Sequence, residues 1–202
     1  MKKAFTLSEV LITLGVIGVV SALTIPSLIQ NYQKHLFVSQ LKKSYAEMTE
    51  AFATYLTDTQ TPTIRINRFD AQNFFQTYLK TSKICDSSNW DECINSSVYT
   101  RINGTGINLL SVGTVCAVLK SGSVACIYPN DLQARAQYPL ALNIDTNGKQ
   151  DPNIGGRDYF RFNVTPSGEI VSYTTQDVHH TDAPNEMNAF SRILRDGWEM
   201  NY

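Results

Sequence analysis

Several groups of residues have types and spacings that could do chemistry. Glu9 stands at the edge of a stretch, Val10 to Gln33, that contains no charged residue. A carboxylate there is costly unless it is paired or reaches the interface, so Glu9 asks for a cationic partner. Cys85, Cys93, Cys116 and Cys126 can form disulfides or hold a metal. Asp145, Asn147, Asp151 and Asp158 can together offer oxygen ligands to a hard cation such as calcium, with backbone carbonyls filling the shell. His179 and His180 are adjacent in a polar run, and adjacent histidines point in different directions on any regular element. No G-x-S-x-G, P-loop or G-x-G-x-x-G is present, and no catalytic constellation emerges.

Each group has an ordinary reading beside the chemical one. Four cysteines allow three pairings, and the spacing favours Cys85 with Cys93 and Cys116 with Cys126. The first pair closes the loop Asp86 to Glu92; the second bridges a hairpin whose arms, Val115 to Leu119 and Val124 to Tyr128, flank Lys120-Ser-Gly-Ser123. Zinc is the rival, but the spacings are far from C-x-x-C and no histidine lies nearby. Disulfides place the residues beyond the apolar stretch outside the cytoplasm. The run from Asp145 does not match an EF-hand, which wants Gly at its sixth position and Glu at its twelfth. Here the glycine is fourth and the twelfth residue is Gly156. Asn147-Gly148 favours a tight turn, Pro152 stiffens the loop, and Asp145 and Asp158 can bond backbone amides. The histidines belong to a solvated loop.

The elements that must position these residues start with a helix. At about 1.5 Å per residue the uncharged stretch exceeds the roughly 30 Å of bilayer hydrocarbon, so it can cross a membrane. Pro26 removes one helical hydrogen bond and should kink or locally melt the helix. A second helical half runs from Ser27 to about Thr57, with Leu41, Tyr45, Met48, Phe52 and Tyr55 on one stripe. The whole helix, Phe5 to Thr57, would be roughly 80 Å long. Thr57 to Thr63 is a polar break. Phe69 to Lys80 reads as a short amphipathic helix with Phe74, Phe75, Tyr78 and Leu79 inward. From Val98 short apolar runs alternate with turn signals, which predicts an antiparallel sheet. Its strands lie near 109–112, 114–119, 123–128, 140–144, 159–164 and 170–173. The tail from Asn185, with Phe190, Ile193, Leu194 and Trp198, has helical spacing.

Composition excludes some partners. The chain has 202 residues, 17 basic against 18 acidic, and 10 tyrosines. That balance leaves no electrostatic footprint for nucleic acid or a strongly acidic substrate. Lysines lie on both sides of the apolar stretch, so charge alone does not orient it.

Lys2-Lys3-Ala4-Phe5-Thr6-Leu7-Ser8-Glu9-Val10-Leu11 resembles the N-terminal signature of the type IV pilin and pseudopilin superfamily. The resemblance implies cleavage by a prepilin peptidase between Ala4 and Phe5, then N-methylation of Phe5. Glu9 and Pro26 fall where the family keeps Glu and Pro, whereas Ala4 stands where it usually has Gly. The segment from Asp145 to Phe160 resembles D-x-N-G-x-x-x-P-N-x-x-G-x-D-x-F runs of other prepilin-type proteins. Major pseudopilins use a calcium-binding loop in the head, so the analogy implies a calcium site at Asp145, Asn147, Asp151 and Asp158, and no other cofactor is implied.

The expected fold is α+β and pilin-like, a long N-terminal helix packed on an antiparallel sheet. Residues 1–4 are the leader, 5–30 the transmembrane and assembly helix, and 31–202 the extracytoplasmic head including the helix's second half. The expected function is that of a non-enzymatic subunit, either a pseudopilin or a minor pilin. Its implied partners are the peptidase, other pilin or pseudopilin subunits and an inner-membrane assembly platform. It would sit in a bacterial inner membrane with a single span and later in a periplasmic pseudopilus or surface pilus. The alternative is a membrane-anchored binding module that never polymerises.

Overall fold

Helix α1 (Leu7–Asp58) is continuous over 52 residues, because apolar and helix-favouring residues follow one another without a competing turn signal. The computed structural model describes residues 6–95, 99–107, 113–130, 136–174 and 184–202. The chain divides after Leu36 into two compact units.

In the first unit no residue from Leu7 to Leu36 is buried, and large apolar side chains such as Leu11, Ile17 and Leu23 are more than half exposed. The helix is long and apolar enough to cross a membrane. Pro26 lies inside it and the chain stays helical on both sides, so of the two expected effects, a kink or local melting, melting is absent. One missing N–H removes a single bond, and the helix keeps those on either side. Thr24 and Ser27 add bonds from their hydroxyls to the carbonyls of Val20 and Thr24, each 2.9 Å.

In the second unit the buried stripe of α1 is Phe37, Val38, Leu41, Ser44, Met48, Ala51 and Phe52. Tyr45 and Tyr55 flank it, partly buried. After one 3₁₀ turn (Ile66–Arg68), α2 (Ala71–Tyr78) starts at Asp70, whose carboxylate accepts from the Gln72 and Asn73 amides at 2.9 and 3.1 Å. That is an N-cap satisfying two donors the helix cannot. Phe74 of α2 stacks on Phe52 with ring centres 4.7 Å apart.

The strands are β1 (Thr81–Cys85), β2 (Thr100–Arg101), β3 (Val115–Leu119), β4 (Val124–Pro129), β5 (Leu140–Asp145), β6 (Ile154–Gly155), β7 (Tyr159–Val164) and β8 (Ile170–Ser172). They form one sheet in the order β1-β3-β4-β5-β7-β6-β2, with β8 also on β7. The expected antiparallel sheet is corrected here. The five strands β1, β3, β4, β5 and β7 and the pair β7/β8 are antiparallel, but β6 runs parallel to both β7 and β2, so the sheet is mixed. β1, β2 and β6 were not among the expected strands, and the expected strand at 109–112 lies outside the described residues. A closing helix α3 (Ala189–Arg195) packs Phe190 against Phe162, ring centres 4.7 Å apart.

One face of the sheet carries Ala125, Ile127, Leu142, Ile144, Phe160 and Phe162 into the core shared with α1. An antiparallel sheet commonly leaves its other face wet, yet β5 is buried along its whole length. A second cluster explains that. Cys85, Cys93, Ile94, Tyr99, Ile107, Cys116, Val124, Cys126 and Tyr159 pack together beside the first core.

The Asn147-Gly148 turn leans on the β3–β4 turn. Gly148 has φ +70°, and a Cβ there would come within 2.8 Å of the Gly122 carbonyl oxygen. Gly148→Ala is therefore expected to cost about 2 kcal/mol, through backbone strain and the clash together. Urea denaturation followed by tryptophan fluorescence measures it; an unchanged midpoint would mean that the two turns separate freely.

Candidate functional site

Three groups singled out in the sequence can be placed. Glu9 sits in the first turn of α1 and folds back on Thr6. The Thr6 backbone N–H and hydroxyl donate to Glu9 Oε2 at 2.9 and 2.8 Å, and the Glu9 N–H donates to Thr6 Oγ1 at 3.3 Å. Thr6-Leu-Ser-Glu9 is thus a capping box, reciprocally satisfying N–H groups at the helix start. The T-x-x-E spacing before an apolar run was the signal for it, and the sequence reading, intent on a partner for the charge, missed it. Ala4 and Phe5 lie outside the described residues, as do His179 and His180.

The cysteines pair as their spacing favoured. Cys85–Cys93 has a Cα separation of 6.1 Å and Cys116–Cys126 one of 4.0 Å. Cys116 and Cys126 are direct cross-strand partners of β3 and β4, and no cysteine is free. All four are buried.

The run from Asp145 to Asp158 brings its two outer carboxylates into the protein interior. Asp145 and Asp158 are 1% and 0% exposed. Asp145 accepts from the Tyr99 hydroxyl and, at 3.1 Å, from the Asn147 N–H. Asp158 accepts from the Asn153 and Ile154 amides at 2.7 and 2.6 Å. Asn147 donates its side-chain amide to the Gln150 and Asp151 carbonyls, both at 2.9 Å, and Asn153 Nδ2 donates to Asp151 at 3.1 Å. Asp145, Asp151 and Asp158 therefore accept from N–H and O–H donors within a folded loop, whereas Asn147 is held through its side-chain N–H groups and its Oδ1, like that of Asn153, is buried without a hydrogen-bond partner among the described residues. Among the described residues no group of three or more Asp, Glu, His or Cys side chains is placed to hold an ion. As folded, the loop is a hydrogen-bonded turn that keeps two buried amide oxygens, Asn147 Oδ1 and Asn153 Oδ1, without donors.

Burial pushes the Asp145 carboxyl well above the usual carboxylate range; the Tyr99 hydrogen bond opposes this and the Asp158 charge adds to it. Burial also raises Asp158, against the pull of the Ile154 and Asn153 amides. Both folded values lie above the unfolded ones. Such groups contribute stability that is full below the unfolded carboxyl range and is lost as pH rises through the folded values. The urea midpoint is therefore expected to climb on acidification from pH 8 to pH 5; a flat or falling midpoint would show these carboxyls to be titrating normally.

A partly buried ion pair went unread in the sequence. Arg101 Nη2 and Nε donate to Glu186 at 2.7 and 3.1 Å, and the Glu186 side chain is 0% exposed. It ties β2 to the segment before α3. Nothing in the spacing of residues 85 apart could have announced it.

Compared with known proteins, the chain matches no family model, no curated protein and no solved structure.

Proposed function

We propose that this chain is a structural subunit of a type IV pilus-like or type II secretion pseudopilus filament. It is cut between Ala4 and Phe5 by a prepilin peptidase, methylated at Phe5 and assembled through α1. One observation carries the reading. The first unit of α1 exposes a predominantly apolar surface whose only charged residue before Lys34 is Glu9, at the helix start. So much apolar surface is stable only in lipid or against other such helices. A single charge at one fixed level sets which level of the neighbouring helix it meets. Before assembly α1 spans an inner membrane once, with the disulfide-bonded head outside the cytoplasm; assembly draws on other pilin or pseudopilin subunits and a membrane platform.

The deciding experiment is intact mass of the protein recovered from cells with and without an active prepilin peptidase. The expected result is loss of Met1 to Ala4 and gain of one methyl group only when the peptidase is present. Full-length mass in both would remove the assembly reading.

A membrane-anchored binding module is the second reading. A groove of about 480 Å³ in the second unit favours it, lined by Lys43, Glu47, Glu50, Tyr78, Lys80 and Lys120. A filament subunit still incorporates when this groove is altered by Lys80→Ala and Lys120→Ala, whereas a binding module loses its ligand; pull-down of assembled filaments separates the two.

A further inference from the structure

The two disulfides are not independent staples. Strand register places Cys85 opposite Cys116 across β1 and β3, and Cys116 opposite Cys126 across β3 and β4. Cross-strand partners share a face of the sheet, so three cysteines form one row with Cys116 in the middle. The fourth adjoins them, with Cys93 Sγ 3.9 Å from the Cys116 carbonyl oxygen. All four belong to one buried cluster. Opposed residues in antiparallel strands stand about 4.5–5.5 Å apart at Cα, inside the roughly 4.4–6.8 Å that a disulfide spans. Cys116 therefore has a second partner in place, Cys85. What keeps Cys85 from it is the bond to Cys93.

We propose that the cysteines form a thiol–disulfide exchange relay, entered from the Asp86–Glu92 loop by a dithiol reductant. The reductant's thiolate attacks Cys93 Sγ, breaking the bond to Cys85, which leaves as a thiolate. The reductant's second thiol then closes on the first, freeing Cys93 as a thiol and leaving the reductant as a disulfide. Two electrons have passed from the dithiol to the protein. The Cys85 thiolate next attacks Cys116 Sγ; the Cys85–Cys116 bond forms, the Cys116–Cys126 bond breaks, and Cys126 leaves as a thiolate that takes a proton from water. This second step is redox-neutral.

The relay moves the cross-link from the β3–β4 hairpin to the edge pair β1–β3. β3 stays covalently tied in either state. Entry is set by the loop, since Asp86, Ser87, Ser88 and Asp91 are exposed while the sulfurs are not, and local opening admits a small reductant. Cys93 thereby acquires a role beyond closing a loop: it decides the partner of Cys85. The proposal stands apart from the filament reading.

The test treats the full chain in detergent with limiting dithiothreitol, traps thiols with N-ethylmaleimide in acid, and maps peptides by pepsin digestion and mass spectrometry. Singly reduced molecules are expected to carry label on Cys93 and Cys126 together with a Cys85–Cys116 link. Label confined to Cys85 and Cys93, or to Cys116 and Cys126, without that link would overturn the relay. So would a link that forms only in urea, because strand register would then have no part in it. In Cys93→Ser the lone thiol is expected to shift from Cys85 to Cys126; a thiol that stays on Cys85 in a folded variant counts against the proposal equally.

Discussion

Glu9→Gln is expected to abolish entry into filaments while leaving α1 intact. The capping box accepts Gln in place of Glu at its third helical position, so the turn at Thr6 keeps its bonds. The negative charge is what disappears. In a bundle of apolar helices the cationic amino terminus of a neighbouring subunit would then be buried without its counter-ion, and removing one member of a buried pair costs about 3–5 kcal/mol. At 1.4 kcal/mol per factor of ten that is a fall in incorporation on the order of a hundredfold or more. Glu9→Ala should lose the filament as well, and some helicity near Thr6 with it. The measurement is subunit content of sheared filaments against membrane content, with far-UV circular dichroism of both variants in detergent. Normal incorporation of Glu9→Gln would show that Glu9 serves the cap alone, and the anchored module would become the leading account.

The capping box matters because it gives Glu9 something to do in the isolated chain. Its bonds to Thr6 span only three residues and are exchangeable for water, whereas an ion pair between subunits is available only in an assembly. A local bond of modest net value, about 1 kcal/mol, can be given up when a buried charge pair forms. The cap holds the helix start ordered until then.

Much of the architecture was legible because it repeats at a fixed period. The stripe from Leu41 to Tyr55 recurs at helical spacing and lies on the core. β3, β4, β5, β7 and β8 fall within a residue or two of their expected limits, since each is an apolar run bounded by turn residues. The disulfides were legible because each closes a short loop. β1 was not, because Thr81-Ser-Lys is polar and its edge position leaves Ser82 and Lys83 in water. β2 and β6 are two residues each and owe their parallel pairing to contacts distant in sequence. Pro26 was legible as a kink or a local melting, and α1 stays helical on both sides of it because one lost bond leaves the others in place. The calcium set was legible as a list of oxygens but not as a geometry: whether Asp145 and Asp158 face an ion or backbone amides depends on how Asn153 and Ile154 pass beside them.

Asp158→Ala is expected to be the most destabilising single change in the head. The carboxylate takes the Asn153 and Ile154 amides at 2.7 and 2.6 Å in a site with no exposure. Ile154 opens β6, whose pairing with Thr100 fixes the edge of the sheet. Removing the acceptor leaves both N–H groups buried without partners, at about 1–3 kcal/mol each, so the loss should total roughly 4 kcal/mol. Asp158→Asn separates acceptor from charge. It keeps one oxygen for one amide and removes a buried charge whose desolvation opposes folding, so its cost should be about 1–2 kcal/mol. Urea denaturation of the full chain in detergent, read by tryptophan fluorescence at constant pH, compares them. If the two variants lose the same stability, the carboxylate rather than the hydrogen bonds holds the loop, and a cation bound between Asp145 and Asp158 would regain its claim. If Asp158→Ala costs at least twice as much as Asp158→Asn, the loop is a hydrogen-bonded turn that needs an oxygen at that place and no charge.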